Sequence, residues 1–273
     1  MPRLQPHYST LLCAAVLFAA GSLSVAQGQQ PSMTCDDDWK GGRKASHCEI
    51  KEVTLPAVKG AISVNGGQSG GVAVKGWEKE EILVRAKIQT GAATDAEARE
   101  LASQIRLETE GAQIRADGPA SGQGSYWAVS FEVFVPRRSD LALQTHNGGI
   151  SIADVAGQIK FEALNGGVSL KRLGGSVRGQ TTNGRVSVEL SGERWEGEGL
   201  DVKTTNGGVR IAVPENYSAR LETGTSNGGL SIGLPLTVQG RIGKQLAVDL
   251  GSGGAVVRVT TINGGVSIKR KEV

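Results

Sequence analysis

The phrase QTHNGGISI, residues 144–152, decides how this 273-residue chain is read, because the chain writes it six times. It returns as EALNGGVSL (162–170), TTNGRVSV (181–188), TTNGGVRI (204–211), TSNGGLSI (225–232) and TINGGVSI (261–268). Asn147, Asn165 and Asn183 are 18 residues apart, and Asn206, Asn227 and Asn263 follow at wider intervals. Apolar residues stand three and five places after each Asn: Ile150 and Ile152, Val168 and Leu170, Val186 and Val188, Val209 and Ile211, Leu230 and Ile232, Val266 and Ile268. A small or polar residue, usually Ser, separates each pair, which is the alternation of a strand with one buried face. The match extends past the turn, since Val155, Gly157, Ile159 and Phe161 align with Leu173, Gly175, Val177 and Gly179.

Asn-Gly alone would also suit a meander of hairpins. A turn that recurs in phase, with the same side chain returning to the same place, favours stacked coils. The expected fold class is therefore all-β, a β-solenoid resembling a parallel β-helix, with coils of about 18–23 residues and NGG corners. Glycine after each Asn is expected to supply positive φ at the corner, and the Asn amides to bond from coil to coil. Thr145, Thr181, Thr204, Thr225 and Thr261, two residues before an Asn, are expected to form a row of hydroxyls. Arg185 replaces the second glycine once, so that position accepts a side chain.

Upstream of the repeats, KEVTLPAVKGAISVNGGQSGGVAVKGWEKEEILVRAKIQT alternates like strands and holds an early copy of the phrase at Asn65. Thr94 and Glu97 have capping-box spacing, and Ala98, Leu101, Ala102 and Ile105 share one face, so one short helix is expected near 94–107, over a sheet edge or the end of the stack. SYWAVSFEVFVP then alternates from Trp127 to Val135 and stops at Pro136.

Residues 1–26 have the layout of a secretory signal peptide: one Arg, an apolar run from Leu11 to Ala20, and the small-residue exit Ser24-Val25-Ala26. The run is too short for a membrane anchor, so no transmembrane segment is expected after cleavage. Cys13 leaves with the leader, and Cys35 and Cys48 remain, expected as one disulfide in an oxidising compartment. The expected location is extracytoplasmic: periplasm, cell envelope or secreted. The expected division is a disulfide-stapled segment at 27–50 and a solenoid at 51–273, irregular over 51–140 and regular over 141–273.

A net charge of +3 and no basic stripe exclude a nucleic-acid binder. His47 with Asp36, Asp37 and Asp38 is a poor metal set, because consecutive aspartate side chains diverge, and no cofactor motif occurs. Ser69 in GQSGG has the spacing of a hydrolase nucleophile but precedes a strand, and a hairpin loop explains it better than an elbow. The loop after Val188 carries Trp195 among Glu193, Glu196 and Glu198, a candidate surface contact for a sugar or a cation. The competing reading is that Trp195 packs onto the coils. Opposed acids for glycoside cleavage are not visible, since these three crowd one loop.

The Cys pair ending in HCEIKEVTL, the strand WAVSFEVFVPRRSDLALQTHNGGISI and the successive NGG coils resemble the bacterial putative-adhesin family of unknown function, over roughly residues 48–273. The resemblance implies a β-solenoid and adhesion, and it carries no catalytic residues. The function expected is a non-enzymatic exported adhesin or binding scaffold, with a glycan or an envelope protein as partner. The alternatives are a carbohydrate-active β-helix enzyme, a lyase or hydrolase, and a structural periplasmic scaffold.

Overall fold

A computed structural model describes residues 33–35, 45–120, 122, 124–235 and 243–272. The chain divides into two compact units, Met1–Ser32 and Met33–Val273. The expected leader and the acids Asp36, Asp37 and Asp38 lie outside the described residues.

The strands are β1 (Ala45–Pro56), β2 (Ile62–Asn65), β3 (Val72–Trp77), β4 (Glu81–Ala92), β5 (Arg106–Glu108), β6 (Gln113–Asp117), β7 (Tyr126–Pro136), β8 (Leu141–Thr145), β9 (Ile150–Ala153) and β10 (Ala156–Asn165). They continue as β11 (Val168–Lys171), β12 (Gly174–Asn183), β13 (Val186–Glu189), β14 (Gly199–Asn206), β15 (Val209–Val213), β16 (Ala219–Asn227), β17 (Leu230–Gly233), β18 (Gln245–Leu250), β19 (Val256–Asn263) and β20 (Val266–Arg270). The helix α1 spans Asp95–Ser103. Both arms of its capping box form, Thr94 Oγ1 with the Glu97 N–H and Glu97 Oε2 with the Thr94 N–H, each at 3.2 Å. It stops short of the expected 107 because Arg106–Glu108 pairs with β6 as a strand.

The strands form two mixed ten-stranded sheets, in the orders β1-β4-β7-β3-β9-β11-β13-β15-β20-β17 and β18-β16-β19-β14-β12-β10-β8-β2-β6-β5. From β7 to β17 the first sheet is parallel, as is the second from β16 to β6; antiparallel strands close the β1 end of the first sheet and both ends of the second. Each Asn-Gly corner carries the chain from the second sheet to the first, as from β10 to β11. The apolar pairs of β9, β11, β13, β15 and β20 are all at most 3% exposed and meet Leu141, Ile159, Phe161, Val177, Leu200, Val202 and Val257 in one core cluster. Full burial of such a side chain is worth about 1.5–3 kcal/mol, so the repeats supply the stability that the small residues of the corners cannot. The sequence alignment is reproduced as strand register, with Gly157 opposite Gly175, Ile159 opposite Val177 and Phe161 opposite Gly179. A Cβ on Gly179 would lie 2.5 Å from the Phe161 ring, so a large residue in one strand is accommodated by a glycine in the next.

The stack does not follow sequence order at either end, a departure from coils laid one on the last. β19 lies between β14 and β16, and β20 between β15 and β17. At the other end β2 lies between β8 and β6, and β3 between β9 and β7. GQSGG, with exposed Ser69, therefore crosses between sheets and is not a hairpin loop.

At the corners Asn165 Nδ2 donates to Asn147 Oδ1 at 2.8 Å, Asn183 to Asn165 at 2.7 Å, and Asn206 to Asn183 at 2.8 Å. Asn263 donates to Asn206 and Asn227 to Asn263, both at 2.8 Å, so the column follows the spatial order and not the sequence. The threonines do not bond to one another. Their buried hydroxyls donate to backbone carbonyls of the neighbouring coil: Thr181 to Gly166, Thr204 to Gly184 and Thr261 to Gly207, at 2.7–2.8 Å. Positive φ is also not the general reason for the first glycine. Of the six repeat corners only Gly264, at φ 157°, adopts it. Close approach decides: a Cβ on Gly148, Gly166, Gly184 or Gly207 would lie 1.9–2.1 Å from the carbonyl oxygen of the corner below. At the second glycine the corresponding contact is 3.1–3.6 Å or absent, which is why Arg185 fits.

The opposite corners are charged. Asp154 and Arg172 both sit at positive φ, 61° and 52°, and Arg172 grips Asp154 with two bonds of 2.6 and 2.7 Å. Arg172 also reaches Glu189 at 3.7 Å, and Lys271 pairs with Glu189 at 2.8 Å. The Arg172 hydrogen bond holds the Asp154 carboxyl below its ordinary value despite burial, and Lys271 does the same for Glu189.

Candidate functional site

The loop singled out by the sequence does not present an aromatic platform. Trp195 is 6% exposed, and its indole N–H donates to the Gly175 carbonyl at 3.0 Å. Burial satisfies both parts of the ring, the apolar body and the polar tip. Glu193, Glu196 and Glu198 remain exposed around it, without a ring to work with. Cys35 and Cys48 form a disulfide, tying the segment at Met33 to the edge strand β1. His146 is exposed at its corner, and Arg270 and Lys271 pair with Glu215 and Glu189.

The outer face of the second sheet offers a more substantial feature, a shallow groove of 540 Å³ across β2, β8, β10, β12 and β14. Strand alternation builds it. Ile159, Phe161 and Ala163 face the core, so Lys160 and Glu162 face out; Val177 and Thr181 face in, so Arg178 and Gln180 face out; Asp201 and Lys203 follow on β14. Ala142 on β8 and Ser63 on β2 occupy the same register row as Lys160. Their short side chains leave the depression that the longer ones wall in.

Lys160 and Arg178 stand directly opposite each other, Asp201 is opposite Arg178 on its other side, and Lys203 is opposite Gln180. Like charges so placed destabilise a sheet. The carboxylates nearby are engaged elsewhere: Glu162 accepts from the Gln180 amide at 3.1 Å, and Asp201 accepts from Arg258 at 3.2 Å. Arg258 is also bound by Glu222, whose hydrogen bond raises the guanidinium above its ordinary value. On other strands of this sheet Arg220 is paired with Asp249 and Arg115 with Glu108. Among the described residues, no carboxylate lies within 4.0 Å of Lys160, Arg178 or Lys203.

Sequence reasoning missed these residues, although a signal was present. Lys160 and Arg178 differ by the same 18 residues as the corner asparagines, so the alignment that paired Ile159 with Val177 also paired the two cations. Lys203 was harder to find because the Trp195 loop intervenes and breaks the period.

A family model matches residues 46–269, described as Toastrack DUF4097. The chain belongs to the Toastrack DUF4097 family. No curated protein matches it. Among solved structures, a "putative cell adhesion protein" from Clostridium sporogenes is 14% identical, with 83% of this chain and 100% of that one covered and a TM-score of 0.47. A "putative adhesin" from Parabacteroides merdae is 8% identical over 82% and 96%, TM-score 0.33. A "putative lipid binding protein" from Parabacteroides distasonis is 11% identical over 84% and 100%, TM-score 0.27. Among the described residues of this Toastrack chain, no helix is long and apolar enough to cross a membrane.

Proposed function

We propose that the chain is an exported, non-enzymatic binding scaffold of the cell envelope, of adhesin type. The groove on the second sheet carries this reading: polar side chains are set out in strand register on a face open to solvent. That arrangement suits a ligand held by many weak contacts. Export is supported by the leader layout of residues 1–26, with cleavage after Ala26, and by the Cys35–Cys48 disulfide. In this reading residues 27–50 staple the start of the fold, and 51–273 form one β-solenoid with NGG-cornered coils of 18–23 residues, irregular before 141.

The test is incubation of the purified protein with immobilised neutral and acidic glycans and with envelope proteins, scoring both retention and released products. Retention without release is the expected result. Product release would overturn the non-enzymatic reading, and no retention by any arm would remove the binding role.

A further inference from the structure

We infer that the groove binds an acidic carbohydrate, with the ligand's carboxylate on Lys160 and Arg178, Lys203 as a further cation, and its hydroxyls on Gln144, Gln180 and Glu162. This rests on the binding-scaffold reading and names the ligand class for it. Two observations combine. Lys160 stands opposite Arg178 with no carboxylate within 4.0 Å of either, and Asp201, opposite Arg178 on its other side, is bonded to Arg258, while Arg115, Arg220 and Arg258 of the same sheet are each paired with an acid. An anion between Lys160 and Arg178 removes the repulsion, and an arginine fork matches a carboxylate with two parallel bonds.

The second observation is the composition of the rest of the lining. Asn65, Gln144 and Gln180 offer amide donors and acceptors, and Glu162 and Asp201 add acceptors. A ligand carrying only negative charge gains nothing from the two acids, which oppose it. A sugar acid uses both kinds of group, its hydroxyls donating to carboxylate or amide oxygens and its carboxylate accepting from the cations. The rows also suit a chain of residues, because the outward side chains repeat on successive strands at a spacing of about 4.8 Å across the sheet.

Calorimetry on the purified protein with hexagalacturonate, a neutral maltohexaose and inorganic tripolyphosphate tests this. Hexagalacturonate should bind, weaken as salt rises, and lose about tenfold or more in affinity in the Lys160→Gln/Arg178→Gln pair, each lost charge-assisted bond being a large part of the total. Lys171→Gln, on the other sheet, should bind like the parent, and melting curves of all three proteins report whether each is folded. Maltohexaose should not bind, and tripolyphosphate should bind more weakly than the uronate. The inference is overturned if hexagalacturonate is not bound, if the double variant binds it undiminished, or if tripolyphosphate binds as tightly. Retention on the glycan panel that survives the double variant would overturn the groove while leaving the scaffold reading intact. Absence of retention from every arm removes both.

Discussion

An alanine Cβ at Gly166 would lie 1.9 Å from the carbonyl oxygen of Gly148, whereas at Gly167 the nearest such contact is 3.4 Å, to Arg185. Gly166→Ala must therefore push two corners apart, and a loss of about 1–3 kcal/mol is expected in urea denaturation. Gly167→Ala should stay within about 0.5 kcal/mol of the parent. Asn183 donates to Asn165 and accepts from Asn206, so Asn183→Ala removes two exposed bonds and should cost about 1–2 kcal/mol. At this scale the sequence showed which residues matter and not always why. The Asn column was legible from the period alone, because parallel stacking brings like residues together. The need for the first glycine was not, because it arises from the carbonyl of a neighbouring coil that a single strand cannot reveal. For Trp195 the sequence offered packing onto the coils as one of two readings, and burial against the Gly175 carbonyl, 20 residues away in sequence, is the one the structure shows.

Among elements, the charged corners between the first sheet and the second make stability depend on acid. The carboxyls of Asp154 and Glu189 are held below their ordinary values in the folded chain. Their contribution is complete above the unfolded carboxyl pKa of about 4 and is lost as pH falls through the lower folded value. The urea midpoint should fall on acidification below about pH 4, and fall less steeply in Asp154→Asn/Glu189→Gln, which has less pairing to lose. Strand β1 poses a different dependence, since it forms an edge of its sheet and is joined by the disulfide to the segment at Met33. Reduction should lower stability by up to about 3 kcal/mol in the chain-entropy account, read from melting with and without reductant. Strand positions were the most legible level, since period-two alternation names the inward residues. Helix α1 was legible at its start, where the capping box lies, and not at its end, where pairing with β6 draws Arg106–Glu108 into a sheet.

For the whole molecule, the decisive property is the order of stacking. β16 and β17 occupy the outer place before the chain returns to lay β19 and β20 beneath them. Until that return, β14 and β15 have no neighbour on that side, and β16 has only β18. Such long-range pairing predicts slow folding. Deleting residues 256–273 should leave both interfaces unpaired, which limited proteolysis would report as cleavage within 214–250 while the segment from β8 to β13 stays protected. The repeated phrase displayed the recurring strand and corner and could not display this insertion, because every copy carries the same turn whichever neighbour it meets.

The Asn column also bears on how the protein ages. Asn-Gly is the dipeptide in which the following backbone nitrogen most readily attacks the side-chain carbonyl carbon, expelling ammonia to close a succinimide that water then opens to aspartate or isoaspartate. Here Asn165, Asn183, Asn206 and Asn263 have both amide atoms engaged by neighbours. The attacking nitrogens of Gly166, Gly184, Gly207 and Gly264 are likewise committed, donating to the carbonyls of Asn183, Asn206, Asn263 and Asn227. The corner that builds the stack thus shields its own least durable bond, and deamidation should begin where the column ends.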